Sequence, residues 1–472
     1  MTQQRYYSIP PSEEDVAPAR RPWALMALLA VLFFISTPHR LDESLRFNEA
    51  ARAGDGSEEE LAASVNAEAV SSGSQARRYC LFLLGMAGAA TLVNFRGPEL
   101  RLNGWLGALS VAFLLMMFVS IAWSGQSSLA LRRVVAVGLL LFGAVTMARR
   151  FSMQDLLLFV VLTTAAYLFI GVLAEIRFGN FRPWAGGYRF SGTLHPNQQG
   201  MNCTLLLLSA FALAAYAKRG RALLWSIAGA ALLFLILTGS RTSLASALFG
   251  LGVFGVLRFP IAESLRYGAL LITGVAMLLA IGAMVTGERL DEQMQSALQL
   301  GRETEATELG SLNGRVPLWR ELSGYMSERP WLGYGYKSFW TPRRIVKISH
   351  NQGWWMMQAH NGYLEMALSL GLIGASLFIG ILSLSIKRAL EIFTETKAAS
   401  AAFAVALLSW VAVNTLLEAW IDEPVLPSFI ALTIIASLAA LETPLWQRTQ
   451  PEPEIAQSVQ PLRRYPATAL VT

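Results

Sequence analysis

Charge is scarce in this 472-residue chain: Asp, Glu, Lys and Arg make up only 15% of it, against 54% hydrophobic residues. A soluble fold needs more charge than that to cover its surface, so the soluble globular classes are excluded. Cysteine is nearly absent. Cys80 and Cys203 each stand at the start of an apolar run, which excludes a disulfide framework or a zinc site and leaves both as packing residues. There is no Asp-x-Asp, no His-x-x-x-His, no convincing carboxylate pair in the outside loops and no Gly-rich phosphate loop, so no metal and no cofactor is expected. The net charge of +6 is modest. Its basic residues sit at the ends of apolar runs rather than in one block, and nucleic acid is excluded as a partner. No small-x-small cleavage pattern follows the first apolar run, which continues Thr37-Pro38-His39-Arg40 and reads as an uncleaved span. No internal repeat is visible.

What the chain does have is long apolar runs, at 23–37, 79–95, 105–123, 131–148, 154–175, 201–217, 222–238, 242–258, 267–286, 361–386, 399–417 and 425–441. A bilayer core takes about 20 apolar residues per helix. The expectation is an all-α, polytopic membrane bundle of about 12 transmembrane helices occupying residues 23–441. A cytoplasmic tail precedes it at 1–22, and a Pro- and Gln-rich disordered tail follows at 442–472. With the N-terminus inside, the inside loops hold Arg96 and Arg101; Arg149 and Arg150; Lys218, Arg219 and Arg221; Arg258 and Arg266; and Lys387, Arg388 and Lys397. Every one is positive, whereas the outside segment 418–424 has no positive charge, so the orientation is self-consistent. Two outside segments are long: an acid-rich loop at 38–78 and a large one at 287–359. In the second, the part around 288–311 reads as polar helix. Trp319, Leu322 and Met326 share a helical face that fits an interfacial helix lying on the bilayer.

The informative residues are arginines that defy this orientation. Arg132, Arg133, Arg177, Arg182, Arg189 and Arg241 all fall in outside loops or at outside helix ends. Snorkelling or a local ion pair accounts for some of them, Arg132 and Arg133 in particular. Arg241 is harder to explain that way, because Leu237-Thr238-Gly239-Ser240-Arg241-Thr242-Ser243 is a tight turn between two spans. Arg189 lies in a Gly- and Pro-punctuated loop ahead of Asn197. A guanidinium grips two phosphate oxygens at once and keeps its charge, so two of them form a plausible diphosphate cradle. Of the four histidines, His360 alone sits in a dense polar-aromatic cluster at a helix start. One reading is an ordinary helix start, with Asn361 as cap and Glu365 in the first turn. The other is a general base or acceptor-orienting group.

Several segments, in order, resemble the superfamily of bacterial O-antigen ligases and O-antigen or exopolysaccharide polymerases. They are Trp123-Ser124 with Leu131-Arg132-Arg133; Arg189-x-x-Gly192 with Pro196-Asn197; Gly239-Ser240-Arg241; Gly314-Arg315-x-x-Leu318-Trp319 leading to Pro330-Trp331-Leu332-Gly333-Tyr334-Gly335; and His360-Asn361-x-Tyr363-Leu364-Glu365. The last two are the most specific, and the resemblance covers about 105–440. It implies a GT-C-like helical bundle in the bacterial inner membrane with its active site facing the periplasm. It implies a metal-independent, inverting glycosyltransferase whose donor is an undecaprenyl-diphosphate-linked glycan. The acceptor would be a glycan hydroxyl (polymerase) or a lipid A-core (ligase). A chain-length regulator is an open candidate partner, alongside membrane lipid. Arg189 and Arg241 would hold the diphosphate and His360 would activate the acceptor. Arg315, Asn197, Trp319, Asn361, Tyr363 and Glu365 would contact substrate. The acid-rich 38–78 loop departs from the family pattern. The rival reading is a 12-span transporter or a flippase for lipid-linked oligosaccharide, which calls for paired halves and mid-membrane polar residues that this sequence does not show.

Overall fold

The computed structural model describes residues 75–93, 99–217, 220–260, 315–354, 356–421 and 423–441, with isolated positions at 30, 265 and 268. The expected tails, the first span at 23–37, nearly all of the 38–78 loop, the ninth run at 267–286 and the polar stretch to 314 lie outside the described residues.

The other ten apolar runs are helices, and no strand forms among the described residues. In chain order the helices are α1 (Gln75–Val93), α2 (Gly104–Val119), α3 (Ser127–Arg150), α4 (Met153–Arg177), α5 (Pro196–Tyr216), α6 (Arg221–Leu237), α7 (Arg241–Arg258), α8 (Arg315–Glu328), α9 (Pro342–Gln352), α10 (Gly362–Thr396), α11 (Ala399–Thr415) and α12 (Leu426–Ala440). Among the described residues, four stretches are long and apolar enough to cross a membrane: Gly104–Trp123, Ser127–Arg150, Met153–Arg177 and Gly362–Thr396. The molecule is therefore a polytopic helical membrane protein. The shorter apolar helices include α11 and α12, whose 17 and 15 residues span about 25 Å at 1.5 Å per residue. Both are buried nearly throughout, since they are wrapped by other helices rather than by lipid. Outward side chains such as Leu115, Phe118, Leu162, Phe169 and Leu173 are exposed, and they form the apolar surface that a bilayer covers.

Small residues let the helices approach. A Cβ at Gly88 on α1 would lie 2.8 Å from the Phe142 carbonyl carbon of α3, and Thr146 Oγ1 donates to the Gly88 carbonyl at 3.0 Å. At the expected inner face, Arg149 and Arg150 reach the Leu92 and Thr91 carbonyls at the end of α1, each at 3.4 Å. A cation near a helix C-terminus satisfies its orphan carbonyls. These arginines therefore serve packing as well as orientation.

Two expectations need correction. The run at 361–386 is part of a helix that continues to Thr396. Lys387 and Arg388 are thus helical and pair with Glu391 one turn on, at 3.9 and 3.1 Å. Such pairs stabilise an exposed helix end, and length alone did not show it. The apolar face of α8 does not lie on lipid either. Leu318 and Leu322 are fully buried, and Trp319 and Met326 pack against the cluster formed with Phe339, Ile345, Ile348 and Leu368. That face is covered by α9 and the start of α10.

α10 is not one continuous helix. Gly371 has φ 68° and ψ −173°, so the helix stops and restarts there. The segment Pro330–Gly335 fills the break. Tyr334 and Gly335 donate to the Leu368 and Ser369 carbonyls, each at 2.9 Å, and the Leu372 amide donates to the Pro330 carbonyl at 2.7 Å. Backbone groups orphaned by the break thus find partners in a segment from elsewhere in the chain. The contact is so close that a Cβ on Gly371 would sit 2.1 Å from the Trp331 carbonyl oxygen. This ties the 315–352 unit to the bundle beside the start of α10.

Candidate active site

The turn between α6 and α7 sets Arg241. Gly239 takes φ 61°, a left-handed conformation that glycine adopts without steric penalty. The Ser240 side chain accepts from the Ser243 amide and begins α7. Arg241 is therefore the first residue of a helix. Its Nε and Nη2 are buried and have no hydrogen-bond partner among the described residues. Leaving two buried guanidinium nitrogens unsatisfied is expensive.

Arg189 is placed otherwise. Its loop is shaped by Glu175 at the end of α4, whose Oε1 accepts from the Ser191 amide at 2.9 Å and the Gly192 amide at 2.8 Å. Oε2 accepts from the Tyr188 hydroxyl at 2.5 Å. Burial and the Glu175 carboxylate together push the Tyr188 hydroxyl far above its ordinary pKa. The Arg189 stem then crosses Gly239, where a Cβ would meet Nε at 3.0 Å. Nε donates to the Thr238 carbonyl and Nη2 to Asn197 Oδ1, both at 2.9 Å. Arg189 thus fastens the 188–192 loop to the turn that carries Arg241.

His360 stands just ahead of α10. Asn361 caps that helix, with its side chain accepting from the Tyr363 and Leu364 amides at 3.0 and 3.1 Å. Ala359 is held from both sides: its amide donates to Glu365 Oε2 at 2.9 Å, and its carbonyl accepts from Trp319 Nε1 at 2.8 Å. Glu365 Oε1 also takes the Trp340 indole proton at 2.8 Å. The Tyr363 hydroxyl donates to the Ala412 carbonyl at 2.9 Å. Among the sequence candidates, then, Trp319, Asn361, Tyr363 and Glu365 fix the His360 loop. The clamp holds His360 at φ 49°, a region that costs a non-glycine residue about 1–3 kcal/mol. The Trp354 ring lies 5.6 Å from the imidazole, tilted by 31°.

All of these pieces meet at a residue that the sequence reading passed over, Glu418. It follows α11 and is 4% exposed. Oε1 accepts from Asn197 Nδ2 at 2.9 Å, Arg315 Nη2 at 3.0 Å and Thr242 Oγ1 at 3.3 Å. Oε2 lies 3.7 Å from His360 Nδ1. That is an electrostatic contact just short of a hydrogen bond. Asn197, Thr242, Arg315 and His360 stand at or beside the starts of α5, α7, α8 and α10, so positive helix ends converge on one carboxylate. Burial alone would raise the Glu418 pKa. His360 and Arg315 act against it, and the carboxyl is held below its ordinary range. Glu418 in turn rests on Asn414: the Glu418 amide donates to the Asn414 carbonyl at 3.0 Å. The Asn414 side chain takes Trp420 Nε1 at 2.6 Å and donates to Ser246 Oγ at 2.9 Å.

The structure therefore brings Arg189, Asn197, Arg315 and His360 into one connected cluster through Glu418, with Arg241 beside it in the chain as the neighbour of Thr242. Arg132, Arg177 and Arg182 are exposed and stand apart from it, while Arg133 donates to the Lys337 carbonyl. In the sequence, 418–424 mattered only for lacking positive charge. The signal was there nonetheless, as the first of three carboxylates in 418–424, placed directly after an apolar run, where ionisable groups are expensive.

Comparison with known proteins places this geometry. A search of curated proteins returns no match to the chain. The sequence model of the O-antigen ligase family matches residues 226–379, which contain Arg241, Arg315, the Pro330–Gly335 segment and His360. This match supports a membrane role as ligase or polymerase in surface glycan assembly. The chain is accordingly a polytopic membrane protein whose residues 226–379 match the O-antigen ligase family model.

Proposed function

We propose that the protein is an inner-membrane glycosyltransferase that moves a glycan from undecaprenyl diphosphate to an acceptor sugar hydroxyl on the periplasmic side. The observation that carries this reading is Arg241, which opens a helix with two buried guanidinium nitrogens lacking a partner among the described residues, next in the chain to Thr242, whose hydroxyl donates to the Glu418 carboxylate that faces His360. Arg241 receives the diphosphate with its fork of donors. Arg189 and Asn197 hold the turn that presents it, and the positive end of α7 adds to the anion field.

The acceptor hydroxyl oxygen attacks the anomeric carbon as the bond from that carbon to the diphosphate oxygen breaks. The acceptor proton passes to His360 Nε2, whose opposite nitrogen faces Glu418. The carboxylate orients the ring and stabilises the imidazolium that forms. The 3.7 Å separation closes to a hydrogen bond as charge develops, a common tightening in occupied sites. The departing diphosphate leaves as an anion against Arg241, so charge on the leaving group is stabilised without a metal. One displacement inverts the anomeric centre.

Purified protein in nanodiscs, given a lipid-linked oligosaccharide, tests this reading. New glycosidic bonds should form with the wild type and be lost with His360→Ala and Arg241→Ala at unchanged expression. Passage of the lipid-linked sugar across the bilayer with no new bond would overturn it. Chain growth from the lipid-linked repeat alone identifies a polymerase, and a requirement for an added lipid A-core identifies a ligase.

A further inference from the structure

α9 has two opposed faces. Ile345, Val346, Ile348 and Ser349 are buried, with the isoleucines packed against Leu318, Leu322 and Phe339. The opposite face presents Arg343, Lys347 and His350, all exposed. Spaced by four and three residues, these lie on one stripe about 10 Å long. Among the described residues Arg343 and Lys347 enter no ion pair; the Lys347 ammonium lies 5.9 Å from the Tyr325 ring centre. One carboxylate, Glu321, sits at the end of α9, where it accepts from Asn351 and Gln352 at 2.8 and 2.6 Å, and Glu328 accepts from the Tyr334 hydroxyl at 2.6 Å. Arg344, the other cation of α9, is taken up internally. Its Nη1 donates to the Phe339 carbonyl at 2.9 Å, and its guanidinium lies 4.3 Å from the Tyr334 ring centre.

The stripe is fixed relative to the candidate site. The Met356 amide donates to Ser349 Oγ at 2.9 Å, folding the following loop back on α9, and the Trp354 ring in that loop lies tilted against His360. Like charges one turn apart repel by a few tenths of a kcal/mol, and with no acid pairing Arg343 or Lys347 the helix is poised for an anion. An anionic lipid surface fits poorly. A helix binding a bilayer buries its apolar face in lipid, and here that face is already buried against α8.

We infer that Arg343, Lys347 and His350 form a subsite for an acidic acceptor glycan, one bearing phosphate or carboxylate groups on the sugars beyond the attacked hydroxyl. This inference rests on reading the chain as a glycan transferase, and it deepens that reading by assigning the acceptor's chemical class.

Two measurements on the full chain in zwitterionic nanodiscs test it, comparing wild type with Arg343→Gln/Lys347→Gln. The first is direct binding of an oligogalacturonate and of its carboxyl-reduced neutral counterpart. The wild type should prefer the acidic form, and the double variant should lose about tenfold of that affinity, from two exposed charge contacts. The second is transfer to an acidic acceptor and to the same acceptor stripped of its charges. KM for the acidic form should rise about tenfold in the variant with kcat within twofold, and KM for the neutral form should not move. Equal binding of both glycans by the wild type would overturn the subsite, as would a variant whose KM rises equally for both acceptors. A dependence on the stripe that appears only in anionic-lipid nanodiscs overturns it in favour of lipid headgroups. Selective binding that depends on the stripe, without any transfer by the wild type, sinks the enzymatic reading and leaves the acidic-glycan site standing.

Discussion

Replacing Glu418 by glutamine removes one negative charge while leaving a side chain of nearly the same shape. The retained carbonyl oxygen can still accept from Asn197, Arg315 and Thr242, as Oε1 does at 2.9–3.3 Å. What disappears is the counter-charge for Arg315, whose side chain is 12% exposed against 6% for Glu418. Leaving one partner of a buried pair uncompensated costs about 3–5 kcal/mol. Retained hydrogen bonds place Glu418→Gln at the lower end, about 3 kcal/mol of lost stability. Transfer should fall further, by about three to four orders of magnitude, as when a carboxylate that orients a catalytic imidazole is made neutral. Glu418→Asp keeps the charge one methylene short of the cluster and should fall between. The pH dependence follows in sign. A carboxyl held below its ordinary range contributes stability that is full above its unfolded pKa and is lost as pH falls through the depressed folded value. The acid unfolding limb of the wild type should therefore extend below the ordinary carboxylate range, and Glu418→Gln should lack that component. Thermal unfolding across pH and initial transfer rates, both in nanodiscs, measure these effects. A Glu418→Gln protein with wild-type transfer and stability would remove Glu418 from the centre of the site.

Four further outcomes are expected. Arg241→Met should unfold at higher temperature than the wild type, by about 1–3 kcal/mol of relieved desolvation, yet transfer at background rates; lowered stability would show that the guanidinium already has a structural partner. Arg241→Lys should lose about two orders of magnitude in rate, because ammonium lacks the fork. His360→Gly releases the strain at φ 49° and should leave stability unchanged or raised by about 1 kcal/mol while transfer is lost; retained transfer would show that the imidazole carries no proton. Gly371→Ala should lose about 4 kcal/mol, from the positive φ and the separation of three hydrogen bonds at the helix break, and a wild-type melting temperature would show that the break can rearrange.

Much of the bundle was legible because lipid demands one simple property, a long apolar run, and ten described helices coincide with such runs. The site was legible where a residue broke that property, as Arg241 and His360 do. Arg189 was read as a phosphate ligand from type and place alone, whereas two of its nitrogens hold Thr238 and Asn197; sequence gives a charge but not its partners. Glu418 escaped notice because its meaning comes from residues 58 to 221 positions away that only the packed bundle brings together. The break at Gly371 is similar. Glycine is common in apolar helices, and nothing local marks this one as the place where Pro330–Gly335 enters.

The ring around Glu418 is closed by parts that the family-matched stretch does not contain. Residues 226–379 bring Arg315 and the imidazole, while the carboxylate that pairs with them, and Asn197 with its tether to Arg189, arrive from either side. An excised 226–379 fragment would hold Arg315 with no counter-ion and would favour ejecting it over keeping it packed. During synthesis the cluster likewise stays electrostatically open until α11 has been placed and Glu418 follows it, so a ribosome-bound chain that already holds His360 is not yet an assembled centre.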